Sequence, residues 1–232
     1  MGDWIEIAAL NEEGAFKAYR ATPEGTPRAA IIVIQEIFGV SAGIRKKADD
    51  WAALGYLALA PDMFWRFAPG YSVDPDIAEQ AADAFKVREQ FDADKAVLDV
   101  EAAIRVARAA VEGGKVGIVG FCMGGRVAYL AATRTDIDAS VGYYGARIDR
   151  SLHEAHAIAK PLLLQFAGSD GFIPAESLTK INAALADNAH VTIVEVPGVD
   201  HGFADTFGKR RSDAEAIAAD ARTRAFFEEH LA

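Results

Sequence analysis

Three residues of this chain have the types and the order needed for nucleophilic acyl transfer: Cys122, Asp170 and His201. Cys122 lies in KVGIVGFCMGG (115–125), where an apolar strand, Val116–Val119, runs into Gly120-Phe121-Cys122-Met123-Gly124 and a helical pattern continues over Arg126–Thr133. This is the layout of a nucleophile elbow, with cysteine in the place where serine is commoner. Its glycines have a steric purpose, because side chains two residues either side of the nucleophile would collide with neighbouring backbone. The turn also sets the sulfur at a helix N-terminus, where the dipole favours a thiolate. A lone cysteine is otherwise a small buried hydrophobe, so its meaning depends on the acid and the histidine further along the chain.

In an open α/β sheet, ligands meet the residues just beyond the carboxyl ends of the strands. Four such positions carry chemistry here. Glu36 comes after AAIIVIQ, Cys122 after the elbow strand, Asp170 after PLLLQFAGS, and His201 after VTIVEVPGVD. Nucleophile, acid, histidine is the order this topology uses. Cys122 would attack an acyl carbon and His201 would take and return the proton. Asp170 would fix the tautomer and steady the imidazolium. The amides of Met123 and Ile37 are the expected oxyanion donors, each typically contributing about 3 kcal/mol in the transition state. Asp200 competes with Asp170 for the acid role, although its place beside the histidine points it awkwardly. His153, His156, His190 and His230 read as solvated, and His153 with His156 lacks a third ligand, so no metal is expected.

The elements that must hold these residues are legible in the pattern. Trp4–Ala8 and Ala15–Ala21 read as an antiparallel hairpin turning through Asn11-Glu12-Glu13-Gly14. Ala29–Gln35 is a continuous apolar run, as in a parallel strand covered on both faces. Ser41 caps a helix over Gly43–Leu54 that Gly55 ends, and Tyr56–Ala60 is a further strand. Residues 61–75 are loop, and 76–111 are helical with a break near Phe91-Asp92. Ala139–Tyr144, Pro161–Ala167 and Val191–Val196 complete the strands, with helices over Pro174–Leu185 and Ser212–His230. Strands alternating with helices predict one domain over 1–232, with a mostly parallel, doubly wound sheet flanked by helices.

Composition narrows the function. With 24 basic and 34 acidic residues the net charge is −10, which opposes nucleic acid or an anionic membrane surface as a partner. The single cysteine rules out an internal disulfide framework and fits a reducing, cytoplasmic setting. The N-terminal residues alternate apolar and polar with no apolar core segment, so neither a signal peptide nor a membrane span is expected. Gly113-Gly114-Lys115 lacks the Ser or Thr that completes a phosphate loop, and no GxGxxG is present.

With these residues in place, the chain resembles the dienelactone hydrolase family of α/β-hydrolases. QEIFGV (35–40), PDMFWRFAPG (61–70), DVEAAIRVAR (99–108), KVGIVGFCMGG (115–125), VGYYGA (141–146) and the loops of Asp170 and His201 carry the likeness in the family's order. The resemblance implies the α/β-hydrolase fold, a Cys122–Asp170–His201 triad, a monomer and no cofactor. It also implies a task for Glu36, which would contact the resting thiol and be displaced by substrate, so that the thiolate forms only on demand. Two departures stand out. The family's carboxylate-binding arginines fall on Ala81 and Asp205 here, and an alanine and an acid cannot replace a guanidinium fork. Arg88 is a candidate substitute, and Arg66 and Arg126 are two further cations near the expected cleft. Phe38, Phe64, Trp65, Phe85, Tyr143, Tyr144 and Phe203 could line it, with Phe38, Tyr144 and Phe203 preferred. The expected activity is hydrolysis of a small ester or lactone through a Cys122 acyl-enzyme, without authentic dienelactone specificity. Thioester or other acyl hydrolysis, and a non-enzymatic ligand-binding or redox module, are the alternatives.

Overall fold

The computed structural model describes residues 2–10 and 14–232. Eight strands form one sheet: β1 (Asp3–Ala8), β2 (Ala15–Ala21), β3 (Ala30–Ile34), β4 (Leu57–Pro61), β5 (Val116–Phe121), β6 (Ala139–Tyr143), β7 (Leu162–Ala167) and β8 (Val191–Val196). Their order is β1-β2-β4-β3-β5-β6-β7-β8. β1 pairs antiparallel with β2 and β2 with β4, and every later pairing is parallel. The expected hairpin is present, while Asn11, Glu12 and Glu13 of its turn lie outside the described residues.

Six α-helices cover the sheet: α1 (Ala42–Ala53), α2 (Ala78–Val87), α3 (Ala93–Ala110), α4 (Met123–Arg134), α5 (Ala175–Leu185) and α6 (Asp213–His230). Along β3 the burial alternates between two cores. Ile31 and Val33 join Trp51 of α1 and Phe227 of α6, whereas Ala30, Ile32 and Ile34 join Val100 and Ile104 of α3. A strand covered on both faces must be apolar at every position, which is why this segment shows no polar alternation. Ser41 caps α1, its hydroxyl accepting from the Ile44 amide at 3.4 Å. The expected break near Phe91 is real: a short 3-10 turn, Arg88–Gln90, separates α2 from α3, and Asp92 then caps α3.

One element has no counterpart among the expected helices. Ile148–Ala157 forms an irregular 3-10 segment after β6. Ile148 and Ser151 are buried and Leu152 and Ala155 pack half-buried against the core, a helix-like spacing carried by a single large buried apolar residue. No helix among the described residues is long and apolar enough to cross a membrane.

The sheet order reverses around β3, with β4 on one side and β5 on the other. Chains leaving β3 and β5 diverge there and leave a crevice. Glu36 comes just after β3 and Cys122 just after β5, so the two meet at this crevice.

Candidate active site

The elbow is built on close backbone contact. A Cβ on Gly120 would sit 1.9 Å from the Gly124 carbonyl oxygen, and one on Gly124 would lie 2.6 Å from the carbonyls of Ile34 and Gln35. Glycine at 124 thus lets the start of α4 press against the end of β3, which carries the Glu36–Phe38 loop to the thiol. Cys122 itself has φ 54° and ψ −114°, a strained setting for a residue with a Cβ. Such strain costs on the order of 1–3 kcal/mol and is held by the surrounding packing. The Cys122 amide donates to the Tyr143 carbonyl at 3.0 Å, and the Cys122 carbonyl accepts from Gly125 at 3.0 Å. Met123, the first residue of α4, has no intrahelical acceptor for its amide. Cys122 is half-buried, not sealed in the core.

His201 is brought to the same point by the loop after β8. Its Nδ1 lies 2.9 Å and 3.1 Å from the two carboxylate oxygens of Asp170, and both side chains are almost wholly buried. Asp170 is fixed in turn: its Oδ1 accepts from the amides of Phe172 and Ile173 at 2.8 and 3.2 Å. Asp200 is not the partner acid. Its Oδ1 accepts from the Gly171 amide at 2.9 Å and the His201 amide at 2.6 Å, so it ties two loops together through backbone. The other ring nitrogen, Nε2, is buried without a hydrogen-bond partner among the described residues. A carboxylate oxygen of Glu36, the Cys122 sulfur and a nitrogen of His201 lie within 4.8 Å of one another. Burial pushes the His201 pKa down, but the Cys122 charge and the Asp170 carboxylate outweigh it and raise it to about 10. The ring therefore favours the imidazolium whenever a thiolate stands opposite.

Glu36 is held from behind. Its Oε2 accepts from Arg210 at 3.0 Å, and its Oε1 is buried without a partner among the described residues. The same Arg210 nitrogen lies 2.5 Å from Asp205, and the guanidinium sits 5.0 Å over the Phe38 ring. Two buried carboxylates sharing one cation cannot both ionise freely. Burial, then Glu36, push Asp205 up to about 8 against the pull of Arg210 and Lys47. The sequence alone suggests that Asp205 repels a substrate carboxylate. It is instead buried and committed to Arg210. Arg210 itself carries no sequence signal, since GKRR (208–211) looks like an ordinary charged surface loop. The donor set of Glu36, Cys122 and His201 could chelate a thiophilic metal, but Arg210 on Glu36 sets a fixed positive charge against a cation there.

The expected aromatic lining needs correction. Phe38 and Tyr144 border a cavity of about 430 Å³, which Glu36, Phe121 and Asp205 also line. Phe203 is fully buried and packs 5.6 Å behind Tyr144, so it supports the wall without forming it. Phe64 and Tyr143 are core residues, and Tyr143 bonds to Asp220 and Thr223 away from the crevice. Trp65 stacks on Phe16 and donates to Asp99, which also binds Arg66 at 3.0 Å. Ala81 packs into the core beside α3. Phe85 is exposed but stacks 5.9 Å from Phe172, whose ring meets His201 edge-on at 4.9 Å. Phe172 gives no signal in the sequence, where it reads as a loop phenylalanine after Asp170. Arg88 lies 6.0 Å from the Phe85 ring, at the same rim.

A model of the dienelactone hydrolase family matches residues 16–231. An Azospirillum brasilense protein provisionally named carboxymethylenebutenolidase is 41% identical over 98% of each chain. The carboxymethylenebutenolidase of Pseudomonas putida is 36% identical, covering 89% of this chain and 88% of its own. Among solved structures, a Klebsiella pneumoniae protein provisionally named dienelactone hydrolase superposes with TM-score 0.84 at 27% identity, over 98% of this chain and 99% of that one. A Xanthomonas campestris α/β serine hydrolase without a lid matches at TM-score 0.70 and 14% identity, covering 99% and 95%, a likeness of fold alone.

Proposed function

Because the chain belongs to the dienelactone hydrolase family, we propose that it hydrolyses a small ester or lactone through a thioester formed on Cys122. The observation that carries this reading is the buried, unpartnered Nε2 of His201, which Asp170 orients toward the Cys122 sulfur. Asp170 accepts from Nδ1–H, so Nε2 is the basic nitrogen. Opposite a protonated thiol the ring is neutral and takes the Cys122 proton as the sulfur attacks the carbonyl carbon; the rise toward 10 belongs to the thiolate–imidazolium state that this transfer creates. The oxyanion collects at the amides of Met123 and Ile37. Collapse of the tetrahedral intermediate breaks the C–O bond, and the His201 imidazolium protonates the departing alkoxide. Water then adds to the thioester with His201 as base, and the thiol leaves with the returned proton. Glu36, aimed at the same space, is the group a substrate must displace, and Arg210 is the cation toward which its charge withdraws.

The names of the relatives point to a lactone as the substrate class, while Ala81 and Asp205 speak against the carboxylate clamp of dienelactone itself. The test is hydrolysis of p-nitrophenyl acetate and of a panel of lactones by wild type and Cys122→Ala. Removing a nucleophile typically costs 10³-fold or more in kcat, so turnover should fall at least about that far. Undiminished turnover in Cys122→Ala would refute the assignment.

A further inference from the structure

Arg20, Arg105, Arg108, Arg134, Arg210 and Arg211 all meet carboxylates, and Arg66 meets Asp99. Among the described residues Arg28, Arg45, Arg222 and Arg224 form no ion pair. Neither do four arginines around the elbow: Arg88, Arg126, Arg147 and Arg150. We propose that these four guanidiniums form an anion subsite beside Cys122 that receives a carboxylate or phosphate carried by the substrate. This deepens the hydrolase reading and rests on it, and it assigns substrate charge to residues other than positions 81 and 205.

Their placement supports it. Arg126 lies in the first turn of α4, and its amide donates to the Cys122 carbonyl at 3.3 Å. Its side chain is half-buried. One terminal nitrogen donates to the Ser151 hydroxyl at 3.3 Å, and its Nε is buried with no partner. Arg88 is linked to the His201 ring through the contacts Arg88–Phe85, Phe85–Phe172 and Phe172–His201. Its Nε is likewise buried and unsatisfied. Arg147 and Arg150 are exposed at the start of the 148–157 segment, Arg147 held at φ 68°, and the Arg150 amide donates to the Arg147 carbonyl at 3.2 Å. The four feel one another. Burial, then Arg147, Arg150 and Arg134, lower the Arg126 pKa, and burial, then Arg88 and Arg150, lower that of Arg147.

Nearby carboxylates are engaged elsewhere. Glu154 and Asp94 bind Arg134, and Asp149 accepts from Ser177 at 3.1 Å. Two of the four carry a buried Nε–H with no acceptor among the described residues, so the group has donor capacity left for an anion. An oxyanion bound among them would offer acceptors to these donors and relieve the mutual repulsion. Guanidinium is suited to either carboxylate or phosphate by its fork of donors.

The test has two arms on the full-length protein. In the first, thermal unfolding is measured in glutarate, in inorganic phosphate and in chloride at one ionic strength. Either oxyanion should raise Tm by a few degrees over chloride, and whichever raises it more identifies the anion class. Arg126→Gln and the exposed double variant Arg147→Gln/Arg150→Gln should lose that rise. In the second arm, kcat/KM is compared for p-nitrophenyl hemiglutarate and p-nitrophenyl acetate. The anionic-to-neutral ratio should fall about tenfold in either variant, as expected for loss of a charge-assisted hydrogen bond. It should be unmoved by Arg105→Gln on the outer face of α3. If neither ester is cleaved, the hydrolase reading fails while the Tm arm still decides on the subsite. No oxyanion-specific rise in Tm in wild type, or a rise and a ratio that both survive the substitutions, overturns the proposal.

Discussion

The two flanks of Cys122 treat charge in opposite ways. On the Glu36 flank, two buried carboxylates share Arg210, and the guanidinium lies 5.0 Å over the Phe38 ring, so each carboxylate has a cation. On the Arg126 flank, four guanidiniums gather without one carboxylate ion pair among the described residues. The first flank is a closed ionic cluster that holds an acid in check. The second is an open group of cations whose members form no ion pair among the described residues. On the closed flank Asp205 and Glu36 both occupy Arg210, so that cation is committed within the protein.

The largest effect should come from opening the closed flank. Arg210→Met leaves Glu36 and Asp205 buried side by side without their ion-pair partner, with only the more distant Lys47 acting on both. Breaking a buried pair in this way typically costs about 3–5 kcal/mol, and urea unfolding at neutral pH should show a loss of that order. Proton uptake by Asp205, which already titrates near 8, would limit the loss. An acid whose folded pKa is raised binds more protons folded than unfolded between about 4 and 8, so stability declines as pH rises through that window. The decline should extend to higher pH in Arg210→Met, because losing the cation that favours the ionised form raises the folded pKa further. An unchanged unfolding midpoint would show that Arg210 is a surface ornament and the flank is not closed.

A second, smaller effect separates the sulfur from the rest of the cluster. His201 titrates near 10 because the Cys122 charge and Asp170 together outweigh burial. Cys122→Ala removes the first of these and leaves the Asp170 bond intact. The imidazole midpoint, measured by ring-nitrogen NMR, should therefore fall from about 10 toward the ordinary 6.5. A midpoint that stays near 10 would assign the whole effect to Asp170 and detach the thiol from the imidazole.

How much of this is legible in the chain depends on how local each signal is. Cys122, Asp170 and His201 each end an apolar strand, and strand ends can be located by period and length alone. The Gly120 and Gly124 contacts are legible for the same reason, since the turn that needs them is contiguous. Arg210 is not, because its partners Glu36 and Asp205 are 174 and 5 positions away and nothing in GKRR distinguishes it from Lys209 or Arg211. The aromatic wall fails in another way. Phe38 and Phe203 both sit just after strands, but one borders a cavity and the other is wholly enclosed, which only packing decides. The segment 148–157 has helical spacing at Ile148, Leu152 and Ala155, but with one large buried apolar residue in it the stripe is easily passed over.

Phe172 offers the finest cut between the flanks, because it touches the open one without carrying charge. Its ring is 56% exposed, yet it meets His201 edge-on and stacks on Phe85, over which Arg88 lies. A solvent-facing phenylalanine that keeps two ring contacts is positioned to screen the imidazole from water and to hold the Arg88 rim in place. Aromatic contacts of this kind contribute about 0.5–1.5 kcal/mol beyond area, so Phe172→Ala should lower kcat/KM by roughly three- to tenfold. Phe172→Leu, which retains bulk but no ring, separates the two tasks. If screening water is the main one, leucine restores the neutral-ester rate. If the stack on Phe85 matters more, leucine restores little, and the anionic-to-neutral ratio drops along with the rate because the Arg88 rim has loosened. Equal kinetics in all three proteins would reduce Phe172 to a surface residue and leave Arg88 without a mechanical link to His201.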